Sequence, residues 1–91
     1  MDFEWDEARS AKNEEERGLP FRLAILLVRG PVVRRTDDRQ NYGEVRVKAI
    51  GAVGDRVLRC VYTDRGGVRR VISLRHANRR ERDAYRATFG D

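Results

Sequence analysis

The spacing of apolar residues changes near Pro31, and this change limits the folds open to the chain. Before Pro31, apolar residues recur every three or four positions, as on one face of a helix; they are Phe21, Ala24, Ile25 and Val28. After it, polar and apolar residues alternate, as in residues 44–48, which is typical of a half-buried strand. Helices, then an antiparallel sheet, then a further helix predict the α+β fold class.

Capping and turn residues predict where these elements begin and end. Asp6 can cap a first helix that Gly18 ends, and Asn78 with Glu81 forms a capping box for the last helix. The predicted helices cover residues 6–17, 21–29 and 79–88, although the uninterrupted apolar run 23–28 also allows a buried strand. The predicted strands cover 32–36, 44–48, 57–63 and 68–75. Turns are expected at 37–43, 51–55 and 64–67. We therefore predict two N-terminal helices, an antiparallel β-meander of three or four strands and a C-terminal helix.

The chain is long enough for one hydrophobic core. Its 91 residues leave no room for a second, so we expect a single domain over residues 1–91. Phe3 and Trp5 precede the first helix and should pack back on that core. The longest apolar run, residues 23–28, falls far short of the ~20 residues of a membrane span, and the acidic N-terminus is unlike a signal or transit peptide. These features predict a cytoplasmic protein without membrane contact.

Arginine dominates the charge of the chain. There are 20 lysines and arginines against 15 acids, and 18 of the 20 bases are arginine. Residues 1–16 carry seven acids and two bases (net −5), so residues 17–91 carry 18 bases and 8 acids (net +10). A planar guanidinium group matches phosphate and carboxylate oxygens. The basic body therefore predicts a polyanionic partner, with nucleic acid the first choice, although arginine can also serve solubility alone.

The residues that metal-dependent and nucleophilic enzymes need are scarce. The chain has one histidine, one cysteine and no clustered carboxylates at ligand spacing, so we expect no metal ion and no cofactor. Gly66-Gly67 lacks the Lys-Ser/Thr of a phosphate-binding loop and is better explained as a hairpin turn. Cys60 lies in a predicted strand and is expected in the core. Ser73 lies in a strand interior, which argues against its acting as a nucleophile with His76.

RNA cleavage by its own 2′-hydroxyl is chemistry that an arginine-rich surface can support without a metal. It needs a proton acceptor, a proton donor and cations facing the phosphorane charge. We assign Arg75 and Arg79 to the phosphorane, and His76 or, failing that, Glu44 to proton transfer; Tyr85 is a further candidate. The predicted substrate-binding residues are Arg9, Asn13, Arg17, Arg46 and Arg65.

Several of these candidates are expected to share a surface. Arg9, Asn13 and Arg17 are spaced four residues apart, so they form one stripe on the first helix. We further expect four arginines from three elements to converge on one face: Arg9, Arg17, Arg75 and Arg79. The alternative is that His76 is an ordinary surface residue and that the arginines of the last helix form only a solvated face.

Five segments, in order and with similar spacing, resemble the BrnT family of toxins. Residues 3–9 with Asn13 are similar to the family's F-E-W-D-x-x-K-x-x-x-N opening, and residues 43–46 match its G-E-x-R. Residues 50–51 match its I-G turn, and residues 57–65 are similar to its R-V-L-x-V-x-Y-T-x-R strand. The last segment, from Val71 to Tyr85, is similar to its R-I-I-S-A-R-x-A-x-x-x-E-R-x-x-Y ending.

The resemblance implies a ribonuclease toxin of a type II toxin–antitoxin pair with a RelE-like α+β fold. It also implies a ribbon-helix-helix antitoxin, BrnA-like, that wraps the toxin in a 2:2 complex. RNA would be the substrate, and translation would be inhibited.

The chain departs from the family's pattern at three positions in or beside the proposed site, one of which is His76, where the family commonly has a basic residue. The family's first helix usually ends in Lys-His-Gly, whereas here Arg17 stands in place of the histidine and cannot act as a base. Leu74 replaces the usual small residue of I-S-A-R. Two hypotheses therefore stay open: a metal-independent ribonuclease toxin, and a catalytically inactive relative that acts as an arginine-rich RNA- or protein-binding module.

Overall fold

A computed structural model describes residues 1–38 and 41–90 of the chain. Within these ranges there are three helices and five strands, and the strands form one sheet in the order β1-β5-β4-β3-β2. The elements are β1 (Asp2–Glu4), α1 (Glu7–Arg17), α2 (Leu23–Arg29), β2 (Val32–Thr36), β3 (Val47–Val53), β4 (Arg56–Arg65), β5 (Val68–His76) and α3 (Arg79–Phe89). The α+β class is confirmed.

The sheet is mixed, which corrects the prediction of a purely antiparallel meander. Strands β2 to β5 pair antiparallel in chain order, as expected. The short β1 precedes α1 and pairs parallel to β5, with Phe3 opposite Arg69. Three residues are too few to give a periodic signal, so β1 could not be recognised from spacing. The chain therefore begins with a strand rather than a helix, and its layout differs from the RelE-like arrangement that the resemblance implies.

The predicted turn at residues 51–55 begins too early, because β3 continues to Val53 and only residues 54 and 55 form the turn. A Cβ at Gly51 would lie 3.0 Å from Val32 Cγ1 and 3.2 Å from the carbonyl oxygen of Leu27, so this glycine allows α2 and β2 to approach the strand closely. The turn is instead made by Gly54, at φ +63°. Residues 44–46 precede β3, and two residues of the predicted 37–43 turn, 39 and 40, lie outside the described residues.

The helix ends agree with the predicted caps. The Asp6 carboxylate accepts a hydrogen bond from the Arg9 amide at 3.0 Å, and Gly18 ends α1 in the left-handed conformation. Asn78 and Glu81 form the reciprocal capping box at 2.9 and 3.0 Å. The predicted second helix is present as α2. None of the described helices is long and apolar enough to cross a membrane.

The core lies on one side of the sheet, beneath α2 and the segment that leads into it. Its buried residues come mainly from residues 19–27 and from β4 and β5, and Phe3 and Trp5 pack against them as predicted. Cys60 is among them, and burial raises the pKa of its thiol to about 12, as expected for a core cysteine. We call this the core side of the sheet. On the opposite side, α3 contacts β2 and β3.

Candidate functional site

The side of the sheet opposite the core carries a band of cationic side chains. Residues directly opposed on neighbouring strands point to the same side, and side chains alternate along each strand. Arg59 opposes Arg75 on β5 and Ile50 on β3, which places all three on this side. The same pattern adds residues of β3 and of the far ends of β4 and β5. Arg35 of β2 opposes Lys48 and joins the same side, and Arg46, which precedes β3, lies beside Glu44. We call this surface the basic sheet face; its cationic residues are Arg35, Arg46, Lys48, Arg59, Arg65, Arg70 and Arg75.

Arg75 is held in a fixed orientation on this face. Its Nη1 donates to Glu81 Oε1 at 2.8 Å and to the carbonyl oxygen of His76 at 2.9 Å, and its Nη2 donates to Glu81 Oε2 at 3.1 Å. A guanidinium group has five N–H donors, so donors on the Nε side remain for a ligand. The Arg75 side chain is 31% exposed, which leaves it accessible to solvent.

Glu81 is the buried member of this pair, with 6% of its surface exposed. Burial disfavours its charged form most strongly, but hydrogen bonds from Arg75 and from the Asn78 amide, with the charges of Arg75 and Arg59, outweigh burial and lower the pKa of Glu81. The carboxylate is therefore ionised at neutral pH. It caps α3 and fixes the Arg75 guanidinium at the same time, which preorganises a cation at the start of the helix.

A second arginine lies beside this pair. Arg59 is 7% exposed, and its Nη2 donates to Ser73 Oγ at 3.0 Å. Because Arg59 directly opposes Arg75 across the strands, the two guanidinium groups belong to one part of the face. Such a concentration of positive charge in partly buried surroundings is suited to a phosphate group.

Glu44 lies at the other end of the basic sheet face. Its carboxylate accepts three hydrogen bonds from Arg65, at 2.8, 3.0 and 3.1 Å. It also lies 3.8 Å from Arg46, whose guanidinium stacks over the Tyr42 ring at 3.9 Å. The hydrogen bond from Arg65 is the main cause that lowers the pKa of Glu44. Arg65 is six residues from Arg59 along β4, or about 20 Å. Glu44 and Arg75 are therefore too far apart to act on the same phosphate.

The α1 stripe is attached to the edge of β5. Asn13 is buried, and its Nδ2 donates to the carbonyl oxygens of Leu19 at 2.7 Å and Leu74 at 2.9 Å. Its Oδ1 accepts from Arg17 Nη1 at 2.9 Å. Asn13 thus binds α1 to the strand that carries Arg75, and it holds Arg17 beside that strand.

Of the remaining predicted residues, His76 lies on the other side of the sheet from Arg75. His76 follows Arg75 in an extended strand and opposes Leu58, so its side chain points to the core side, although it is exposed at the end of β5. Arg9 on α1 and Arg79 at the start of α3 are exposed, and their convergence with Arg75 stays a prediction. The structure thus places Arg46, Arg65, Glu44 and Arg75 on one face of the sheet, with Glu44 and Arg75 at opposite ends of it.

Several residues of this site were missed by sequence reasoning. Glu81 was recognised only as a cap, because nothing in the spacing shows that its carboxylate also reaches Arg75. Arg59 and Ser73 join the site through strand register, which a single sequence does not give. Lys48 could have been recognised, because it alternates with Arg46 on the polar side of a predicted strand. Among the described residues, no three histidine, cysteine or acidic side chains lie together as a metal site.

A comparison with models of known protein families finds a match over most of the chain. A family model described as "Ribonuclease toxin, BrnT, of type II toxin-antitoxin system" matches residues 5–81. The matched region begins before α1 and ends at Glu81, so it contains both ends of the basic sheet face and the complete Arg75–Glu81 pair. A search of curated proteins finds no match.

Proposed function

We infer that this chain, which belongs to the BrnT family of ribonuclease toxins of type II toxin–antitoxin systems, cleaves RNA without a metal ion. The observation that carries the proposal is the Arg75–Glu81 pair: a partly exposed guanidinium held by a buried carboxylate, next to a second arginine. Such a cation is oriented before the substrate binds. In this mechanism the 2′-hydroxyl attacks the adjacent phosphate, the 5′-oxygen leaves, and a 2′,3′-cyclic phosphate results.

Arg75 stabilises the charge that develops on the phosphorane oxygens. Preorganised donors are most effective when they need no reorientation as charge develops, and Glu81 provides that constraint. Arg59 adds a second positive charge nearby, and Arg79 is the further cation assigned to the phosphorane. These groups lower the free energy of the transition state more than that of the ground state, because the phosphorane carries the extra charge.

Proton transfer has three candidates, and geometry separates them. Glu44 lies about 20 Å along the sheet from Arg75, at roughly 3.3 Å per residue, and the side chain of His76 leaves the strand on the opposite side. Tyr85 lies one turn beyond Glu81 on the same side of α3, and it is half-buried. Single substitutions that remove only the titrating group separate them: His76→Ala, Glu44→Gln and Tyr85→Phe.

The rest of the basic sheet face binds the RNA strand. From Arg75 to Arg65 and Arg46 it extends about 20 Å, the length of about six stacked nucleotides at roughly 3.4 Å each. Glu44 aligns Arg46 and Arg65 through its ion pairs. Arg9, Asn13 and Arg17 extend this binding surface from the edge of β5, with Asn13 acting through its hydrogen bond to Arg17.

A protein antitoxin is the partner that the family implies. We propose that it is a BrnA-like ribbon-helix-helix protein that forms a 2:2 complex in the cytoplasm, with the whole chain acting as one toxin domain. A segment that covers the basic sheet face should present aspartate or glutamate, because masking exposed cations requires a complementary potential. Light scattering of the purified complex tests the stoichiometry, and a 1:1 complex at micromolar concentration would exclude it.

The second candidate function is an inactive relative that binds RNA or an acidic protein. One observation favours it: Arg17, at the position of the family's histidine, donates to Asn13 and cannot accept a proton near neutral pH.

Inducible expression of the chain separates the two functions. Wild type should stop growth, and Arg75→Ala should not, while Arg29→Ala, which removes an exposed arginine of α2, should remain toxic. Growth with all three proteins, each folded and present at equal amounts, would favour the binding module.

A further inference from the structure

A groove lined by apolar and polar residues lies between the C-terminal half of α3 and the turn that joins β3 and β4. Its volume is about 700 Å³, within the range of small-molecule sites. Ala52 and Val57 contribute to its floor, and Tyr85 and Phe89 contribute to its wall. The proposed mechanism gives a role to one of these residues, Tyr85, as a candidate for proton transfer, and gives no role to the groove itself.

The groove is lined by residues that lie a short way along β4 and α3 from the Arg75–Glu81 pair. Val57 is two residues before Arg59 on the same side of β4, a distance of about 7 Å along the strand. Tyr85 is four residues after Glu81, about 6 Å along the helix. Two separate elements therefore place the groove one or two stacked nucleotides, at roughly 3.4 Å each, from the phosphate that Arg75 would hold.

The wall of the groove is an aromatic pair with accessible surface. The Tyr85 and Phe89 rings lie 5.1 Å apart between centroids with an angle of 54° between their planes. Phe89 is 43% exposed. Burying a phenylalanine is favourable, so its exposed surface is available to a binding partner. Asp55 and Arg86 line the same groove and supply polar groups.

We propose that this groove is a nucleobase subsite, in which a base adjacent to the scissile phosphate stacks on Phe89 and Tyr85. Unstacked bases of single-stranded RNA bind proteins in this way, with polar groups reading the edge of the base. Asp55 and Arg86 are the residues of the groove that can contact that edge. The inference rests on the proposed function, since it assumes that RNA lies along the basic sheet face.

RNA is favoured over a protein segment by position and by chemistry. The groove residue Val57 lies two residues from Arg59 on the same side of β4, so a strand bound at the cationic end of the basic sheet face can place a base in the groove. A base has two flat apolar faces and polar edges, which match an aromatic wall with Asp55 and Arg86 at hand. The antitoxin is the competing occupant, and the experiment separates the two.

The test uses a fluorescein-labelled single-stranded oligoribonucleotide with 2′-O-methyl groups throughout, which cannot be cleaved by 2′-hydroxyl attack. A second set of probes carries one abasic site at each position in turn. Affinities are measured by fluorescence anisotropy for wild type, Phe89→Ala and Phe89→Trp. Leu26→Ala, which removes an exposed apolar side chain from α2, is the control.

Phe89→Ala should weaken binding of the intact probe about 10- to 100-fold, as the loss of a stacked base does. Phe89→Trp should retain binding, and Leu26→Ala should bind like wild type. One abasic position should weaken wild type and have no effect on Phe89→Ala, because the two changes remove the same contact.

The inference is overturned if Phe89→Ala binds the intact probe as tightly as wild type does. It is also overturned if every abasic site weakens binding to Phe89→Ala as much as it weakens binding to wild type. It is also overturned if Phe89→Ala keeps RNA affinity but loses binding to the antitoxin, since the groove would then be a protein-docking surface. Failure to cleave ordinary RNA would contradict the proposed function alone, because the 2′-O-methyl probe reports binding without cleavage.

Discussion

Arg75 and Glu81 form a two-point ion pair in which the acid is buried and the base is partly exposed. The distances are 2.8 Å to Oε1 and 3.1 Å to Oε2, and Oε1 also accepts from the Asn78 amide that begins α3. The helix cap and the orientation of the cation therefore depend on one carboxylate. This coupling links the fold of the C-terminal helix to the proposed chemistry.

Glu81→Gln should reduce kcat by roughly 10- to 100-fold, because Arg75 loses the charged partner that fixes its position. RNA affinity should change little, since the Arg75 charge remains. Steady-state kinetics on a fluorogenic RNA would measure both. Asp83→Asn, at an exposed position of the same helix, is the matched control and should behave like wild type. An unchanged kcat in Glu81→Gln would remove Glu81 from the positioning of Arg75.

The same residue should contribute to acid sensitivity. The pKa of Glu81 is lowered in the folded protein from an ordinary value of 4.5, so the fold favours its ionised form. Its contribution to stability is complete above that ordinary value and is lost as pH falls through the lowered value. Urea unfolding of wild type should lose more free energy between pH 6 and pH 3 than unfolding of Glu81→Gln. Parallel pH profiles would show that the carboxylate is not linked to folding.

Asn13→Ala should destabilise the protein by about 1–3 kcal/mol, because two buried carbonyl oxygens, of Leu19 and Leu74, lose their donor. Lys12→Ala, at an exposed position of α1, should stay within about 0.5 kcal/mol of wild type. Chemical unfolding of the three proteins measures the difference. Equal stability of Asn13→Ala and Lys12→Ala would mean that this side chain does not attach α1 to β5.

RNA binding should weaken steeply with salt if the basic sheet face contacts phosphates. Each phosphate neutralised on a single strand contributes about 0.7 to the slope of log K against log salt. Arg46→Gln and Arg65→Gln should each lower the magnitude of that slope by about this amount, while Arg29→Gln should leave it unchanged. Identical slopes in all four proteins would place the RNA elsewhere on the surface.

Arg17→His should raise cleavage if the first helix lacks a proton carrier. The substitution restores the residue type that the family usually has there, and histidine titrates near neutral pH whereas arginine does not. Arg17 is exposed, and its partner Asn13 can accept from an imidazole N–H as well. Initial rates between pH 5.5 and 8 measure the effect. A rate equal to or below wild type at every pH would show that no proton carrier is needed at this position.

Local sequence patterns predicted most helices and strands well. Features that depend on the pairing of distant strands could not be recognised from the sequence. The Asp6 and Asn78 caps were visible because each bonds within its own first turn. The parallel pairing of Phe3 with Arg69 was invisible, because it joins residues far apart in the chain. Gly51 was taken for a turn residue, whereas its role is to accept the close approach of α2.

The candidate site divides in the same way. Arg75, Arg46 and Arg65 were predicted from residue type and position, and the structure places all three on one face. Their grouping with Arg59 depends on strand register, which one sequence does not specify. His76 follows Arg75 directly in sequence, yet neighbouring residues of a strand point to opposite sides. Adjacency in the chain was therefore misleading there.

Cleavage products analysed in the presence of EDTA test the metal-free mechanism most directly. Purified protein is incubated with a defined single-stranded RNA in excess EDTA, and the 3′ ends are identified by mass spectrometry, beside Arg75→Ala and Arg29→Ala. Wild type and Arg29→Ala should produce 2′,3′-cyclic phosphate ends, and Arg75→Ala should be slower by about 10²–10³ while remaining folded. Cleavage that stops in EDTA, or that proceeds equally well in Arg75→Ala, would contradict the proposed mechanism.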